Sequence, residues 1–198
     1  MPSDDWGGFY RITKDQPPWS LLMRAAALAR AKGRALDLGA GAGRDTRYLL
    51  EQGFQVTAVD AQAKSIAIIA ALAPQDAPGR LLAVKDTFEH FPFETAHYDL
   101  INAQFALPFV ARDHFFAVFS RIKGALTVGG VFAGQFFGVH DAWNTADTDM
   151  TFLTRAEAEA QLSDLEVVEF RELEEDGHVA DGRPKHWHVF HILARRPQ

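Results

Sequence analysis

The sequence predicts an α/β protein: a doubly wound, mainly parallel sheet of seven strands, closed by a C-terminal antiparallel hairpin, with helices on both faces. Three observations predict it. Apolar strand-like runs alternate with helical segments through most of the chain. One of the strands passes directly into a glycine-rich turn and a helix. Two long β-rich runs near the C-terminus flank a turn-rich acidic segment.

The elements follow in order. Pro17 to Lys32 reads as a helix, started by Pro17 and Pro18 and stopped by Gly33. Ala35 to Arg44, Ala-Leu-Asp-Leu-Gly-Ala-Gly-Ala-Gly-Arg, is the strand and its glycine turn. Arg44 to Gln52 and Ala61 to Leu72 read as helices, around a second strand at Phe54 to Asp60. Arg80 to Lys85 and His97 to Asn102 are short buried strands. Asp113 to Leu126 is a longer helix with Phe115, Phe116, Phe119, Ile122 and Leu126 at helical spacing, and Gly129-Gly130 turns it into the strand Val131 to Phe137. After a loop from Gly138 to Thr151 and a helix from Thr154 to Leu162, Leu165 to Leu173 and Lys185 to Arg195 form the hairpin. No repeat or linker divides the chain. We expect one domain over 1–198, with 1–32 as an N-terminal lid segment and helix and 33–198 as the core.

Composition narrows the function classes. The 198 residues suit one core, and 47% apolar content is that of an ordinary globular protein. A formal charge of −6 with scattered basic residues argues against a nucleic-acid partner. With no cysteine there is no disulfide framework, thiol nucleophile or cysteine-bound zinc. The polar, acidic N-terminus and the lack of a long apolar run predict a cytoplasmic protein without a membrane partner; a monomer or homodimer is expected.

The glycine turn points to a nucleotide cofactor. Gly39, Gly41 and Gly43 leave no side chain between the backbone and a ligand, and Asp60 ends the next strand about twenty residues later, where a carboxylate can accept both hydroxyls of a ribose. The dinucleotide pattern needs a third glycine where Arg44 stands, which counts against a nicotinamide-dependent oxidoreductase. Asp37 places an acid just before the turn. It suits the positive end of a cofactor better than a pyrophosphate, or else fixes the turn by accepting backbone hydrogens.

With Asp-x-Gly-x-Gly-x-Gly at 37–43, an acid after the second strand and a closing hairpin, the stretch from Ala35 to Arg195 resembles the class I S-adenosylmethionine-dependent methyltransferases, whose core is Rossmann-like. The resemblance implies S-adenosyl-L-methionine as cofactor, held by Asp37, Gly39, Gly41, Gly43 and Asp60, with Asp86 and Thr87 at the adenine. It also places Asn102 and Gln104 against the cofactor, and Phe105 beside them at the methyl-transfer site. The aromatic segment Trp6 to Trp19, Gly-Arg-Asp-Thr at 43–46 and the ending Pro-Lys-His-Trp-His-Val-Phe-His-Ile-Leu-Ala-Arg-Arg are similar to the tellurite-resistance branch and, more distantly, to the thiopurine methyltransferases. That similarity implies a small-molecule acceptor. The chain departs from the branch at Ala40, where a cysteine is common, and in its Trp143-containing loop.

Methyl transfer from a sulfonium is an in-line displacement, so the protein chiefly positions and desolvates, and no catalytic triad is required. Tyr10, Trp19, Arg44, Phe105, His140 and Trp143 are the substrate-pocket candidates. Arg44 reads either as an anchor for a carboxylate or as a surface ion-pair residue. The aromatics up to Trp19 have no regular period and read as a lid or as plain packing. His140 and Asp141 follow the fifth strand at the carboxyl edge, where either could act as a base; a soft nucleophile would need none. His186 and His188 share a strand face while His191 points to the other, and no metal is expected. A non-catalytic cofactor-binding or regulatory protein is the remaining alternative.

Overall fold

The computed structural model describes residues 6–29 and 32–198. Its strands are β1 (Arg34–Leu38), β2 (Gln55–Asp60), β3 (Leu81–Lys85), β4 (Tyr98–Ala103), β5 (Leu126–Gly138), β6 (Phe152–Leu153), β7 (Glu166–His178) and β8 (Pro184–Arg195). The helices are α1 (Trp6–Thr13), α2 (Ser20–Leu28), α3 (Arg44–Glu51), α4 (Ala63–Ala70), α5 (Arg112–Ala125) and α6 (Arg155–Gln161). The sheet runs β3-β2-β1-β4-β5-β8-β7, with β6 pairing β5 off that path. Pairs from β3 to β5 are parallel, and β8 is antiparallel to both β5 and β7. Between β1 and β4 the order reverses, so the carboxyl ends of those two strands open the crevice in which such sheets bind ligands.

Alternation along the strands sorts the core by size. On one face the small residues Ala35, Ala58 and Ala133 receive Leu21 and Leu22 of α2, Leu49 and Leu50 of α3 and Ile69 of α4. On the other, Leu36, Leu38, Phe132, Phe136 and Phe190 pack against Phe115, Phe119 and Ile122 of α5 and Ala158 of α6. Thr154 starts α6 with a capping box closed by Glu157. No helix among the described residues is long and apolar enough to cross a membrane.

The structure differs from the sequence reading at four places. The leading aromatics form a helix of their own, α1, with Gly7 and Tyr10 on its buried side. The second helix is shorter than Pro17–Lys32, because Ala29 is already extended; Arg30 and Ala31 lie outside the described residues. Gly129-Gly130 is a bulge inside β5, where Leu126 pairs Tyr98 and Val131 already pairs Leu100. A two-residue β6 stands between the expected loop and the helix after it, too short to carry an alternation signal and held by parallel pairing to Phe137 and Gly138.

Candidate functional site

The glycine turn leaves β1 with every glycine at positive φ: Gly39 at 69°, Gly41 at 56° and Gly43 at 75°. A Cβ on Gly39 would stand 2.5 Å from Ala106 Cβ, so this approach excludes any side chain there. Gly43 caps α3 without a side-chain acceptor, leaving the helix N-terminus aimed at the crevice. Asp60 braces the turn from β2. One carboxylate oxygen accepts the Gly41 N–H at 2.8 Å and the other accepts the Gln62 N–H at 2.8 Å. Each oxygen keeps a second lone pair for a ribose hydroxyl. Ser65 donates to the Gly41 carbonyl at 2.7 Å, and Tyr10 of α1 lies over this corner. The Tyr10 hydroxyl hydrogen-bonds Ser65; burial first, and then the Asp60 charge, push its pKa above the ordinary phenol value. Asp86 and Thr87 follow β3 at the same edge, with the Asp86 N–H on the Asp60 carbonyl and the Thr87 N–H on the Asp86 carboxylate.

Asp37 and Asn102 stand behind this surface rather than on it. Asp37 accepts Thr46 Oγ1–H at 2.6 Å and Asn102 Nδ2–H at 2.8 Å. The Asn102 amide also reaches Asp45 at 3.3 Å, and its oxygen accepts Gln104 Nε2–H at 2.8 Å. The side-chain donors of Asn102 are thus spent inside the protein, which corrects the expectation that they face the cofactor. Asp45 escaped the sequence reading. It accepts the Trp19 backbone N–H at 3.2 Å and pairs with Arg44, whose guanidinium lies 4.7 Å from the Trp19 ring centre. Arg44 is therefore an ion-pair and cation–π partner, the second of its two readings.

Burial, reinforced by the Asp45 charge, pushes the Asp37 pKa up to about 7. A folded-state pKa above the unfolded value means that stability from this group is fully present below about pH 4 and is lost as pH rises through about 7. In Asp37→Asn the Thr46 hydroxyl can turn to accept the new amide. We expect the melting temperature of this variant, relative to the parent, to climb between pH 4 and 7 and to level off above that window. Scanning fluorimetry across that range checks it; a difference independent of pH would refute it.

Aromatic rings form the wall beyond the turn. Phe105, just after β4, has φ +54°, a conformation a bulky residue adopts only when its surroundings hold it there. Its N–H is held by Gln135 at 2.8 Å. The Phe105 ring lies 4.8 Å from Trp19, 5.9 Å from Trp187 and 6.2 Å from both Phe137 and His191. Trp143 joins through Phe137 and Trp187. Gln135 and Trp187 were missed in the sequence, although a lone amide inside an apolar strand is a visible signal.

The two base candidates do not reach this wall as bases. Asp141 is buried and closely ion-paired with Lys185, and it also accepts the Trp143 and His188 N–H groups at 3.0 and 3.2 Å. His140 is exposed and stacks on His188, which in turn contacts Phe190 in the core on the α5 side of the sheet. Phe105 and Trp187 are on the opposite side, so His140 leaves the substrate-pocket set. His140, His188 and Glu174 place ligand-type atoms within 4.8 Å of one another. Both His188 nitrogens are already engaged, Nδ1 by the His140 N–H at 3.1 Å and Nε2 by Glu172 at 2.9 Å.

A family model described as a methyltransferase domain matches residues 35–130. No curated protein sequence matches the chain. Among solved structures, TehB from Haemophilus influenzae is 21% identical with a TM-score of 0.75, covering 88% of this chain and 61% of its own. The chain thus spans about three fifths of that protein. The 1,6-didemethyltoxoflavin-N1-methyltransferase of Burkholderia thailandensis, solved with 1,6-didemethyltoxoflavin and S-adenosylhomocysteine, is 21% identical with a TM-score of 0.66, covering 98% and 84%. A chain from the complex of the Haloferax volcanii Trm112 methyltransferase activator with a methyltransferase is 18% identical with a TM-score of 0.74, covering 98% and 96%. Residues 35–130 thus match a methyltransferase domain, and the chain shares the fold of these structures around a glycine turn braced by Asp60.

Proposed function

We propose that the protein transfers a methyl group from S-adenosylmethionine to a small, planar acceptor by in-line displacement. The observation that carries this reading is the adjacency of two surfaces: the Gly39–Gly43 cradle with the Asp60 carboxylate, and the aromatic wall of Phe105, Trp19 and Trp187. The cofactor supplies an electrophilic methyl on a sulfonium and a neutral leaving group. The residues of this chain do the rest. Asp60 accepts ribose hydroxyls through its free lone pairs, and the turn offers backbone to the amino-acid end. Asp86 and Thr87 border the adenine. The rings exclude water and fix the acceptor's plane, which is where binding becomes rate enhancement in a displacement that needs no covalent help from the protein. The Burkholderia neighbour, a methyltransferase, was solved with 1,6-didemethyltoxoflavin bound, in keeping with a small-molecule acceptor.

Calorimetric titration tests the reading. S-adenosylhomocysteine should bind one-to-one with a Kd on the order of 1–100 μM, while NAD and NADH give no heat. Binding of the dinucleotide in its place would revive the oxidoreductase. Binding of neither, to protein freed of copurified cofactor, would reduce the turn to architecture.

A further inference from the structure

A one-way hydrogen-bond chain determines which nitrogen of His191 carries its proton. The Phe105 N–H can only donate, so the Gln135 atom that receives it at 2.8 Å is the oxygen, and the far end of that amide is the NH₂. That NH₂ donates to Gln104 Oε1 at 2.7 Å and turns its second hydrogen toward His191 Nδ1, 3.5 Å away. Gln104 donates onward to Asn102 at 2.8 Å, and Asn102 to the Asp37 and Asp45 carboxyl groups. Carboxyl acceptors at one end and a backbone donor at the other fix every amide between them. Nδ1 of His191 is therefore the acceptor, and the proton sits on Nε2.

That Nε2 is buried and reaches no hydrogen-bond partner among the described residues. Burial, with Arg171 and Arg24 nearby, lowers the His191 pKa to about 4, so the ring is neutral at physiological pH. Native proteins seldom leave such a donor unpaired, because its lost hydration goes uncompensated. The His191 ring also meets Phe105 edge-on, and Phe105 is the residue held at positive φ. An unpaired donor, a strained aromatic and the wall of rings meet at one place.

We infer that His191 is a specificity-determining residue whose Nε2–H donates to a carbonyl oxygen or ring nitrogen of a planar heteroaromatic acceptor lying against Phe105 and Trp187. This rests on the methyltransferase reading and narrows its substrate class. It also separates His191 from base catalysis: its one lone pair is taken by Gln135, so the ring gives a hydrogen bond and does not remove a proton.

The probes are quinoline and naphthalene, equal in shape and differing by one ring nitrogen, with binding followed by ligand-observed NMR on the full chain saturated with S-adenosylhomocysteine. Quinoline should bind about ten-fold more tightly than naphthalene, in keeping with one hydrogen bond to a buried donor. His191→Phe should bring the two within about two-fold by weakening quinoline alone, and His191→Gln, which keeps a donor, should restore part of the preference. Equal binding to the parent protein, binding of neither probe, or a preference that survives His191→Phe would each overturn the inference. S-adenosylhomocysteine titration of the same variants keeps the two readings apart: loss of cofactor binding in the parent strikes the methyltransferase assignment, whereas an absent probe preference strikes only His191.

Discussion

Asp60→Ala is expected to raise the Kd for S-adenosylhomocysteine by about 100-fold or more. Two charge-assisted hydrogen bonds to ribose hydroxyls, each about 1.5–3 kcal/mol, set that scale. The same carboxylate holds the N–H groups of Gly41 and Gln62, so the variant should also lose about 2 kcal/mol of stability while keeping its far-ultraviolet circular dichroism. The spacing in the sequence points only to the loss of affinity; the brace on Gly41 adds the loss of stability. Asp60→Asn separates the two roles. With one acceptor oxygen left it should recover part of the stability and little of the affinity. Calorimetry on all three proteins decides the matter, and an unchanged Kd in Asp60→Ala would remove the ribose assignment.

The second large effect is expected at Lys185, behind the aromatic wall. Its ammonium is buried, paired with Asp141, 3.2 Å from the His186 carbonyl oxygen, and surrounded by the rings of Trp187 at 3.8 Å, Trp143 at 4.5 Å and Phe137 at 5.2 Å. Burial lowers its pKa, and the Asp141 charge opposes that shift. Lys185→Met leaves the Asp141 carboxylate buried without its cation, which should cost about 3–5 kcal/mol. For a chain of this size that is a fall in melting temperature of about 10 °C. The double variant Lys185→Met with Asp141→Leu should recover most of the loss, since an apolar pair of similar volume replaces a buried ion pair at little cost. Thermal unfolding of the two single variants and the double closes the cycle. A double variant no more stable than Lys185→Met would show that the pair contributes something a hydrophobic replacement cannot.

The parts of this molecule that were legible in the sequence are those written locally. Strand, glycines and the start of the helix stand within ten residues between Ala35 and Arg44, and Asp60 ends the very next strand, so the turn and its brace follow from spacing and connectivity. Alternation likewise put His191 on the face away from His186 and His188, as found. What could not be read are contacts that only the sheet order brings together. Asp141 and Lys185 are 44 residues apart, and Phe105 and Gln135 are 30 apart. The former pair looked like a loop acid and a hairpin lysine until β8 lay beside β5. The placement of His140 has a related cause: a residue at the strand's carboxyl edge can leave it on either face. Helix α1 stayed hidden because its two glycines and crowded aromatics suppress helical periodicity, and packing of Tyr10 onto the turn decides its structure.

That packing bears on how ligand enters. In the form described here the Tyr10 ring covers Gly41, and its hydroxyl is joined to Ser65 beside the carboxylate proposed for the ribose. Tyr10 and a ligand lying on Gly41 would then compete for one patch of protein. If α1 must lift first, the observed association rate, plotted against ligand concentration, should bend over toward the rate of lifting. In that case the apparent affinity would be weaker than that of the bare cradle by the fraction of molecules already open. Tyr10 would set how long the enzyme waits for its cofactor without touching the methyl group at all.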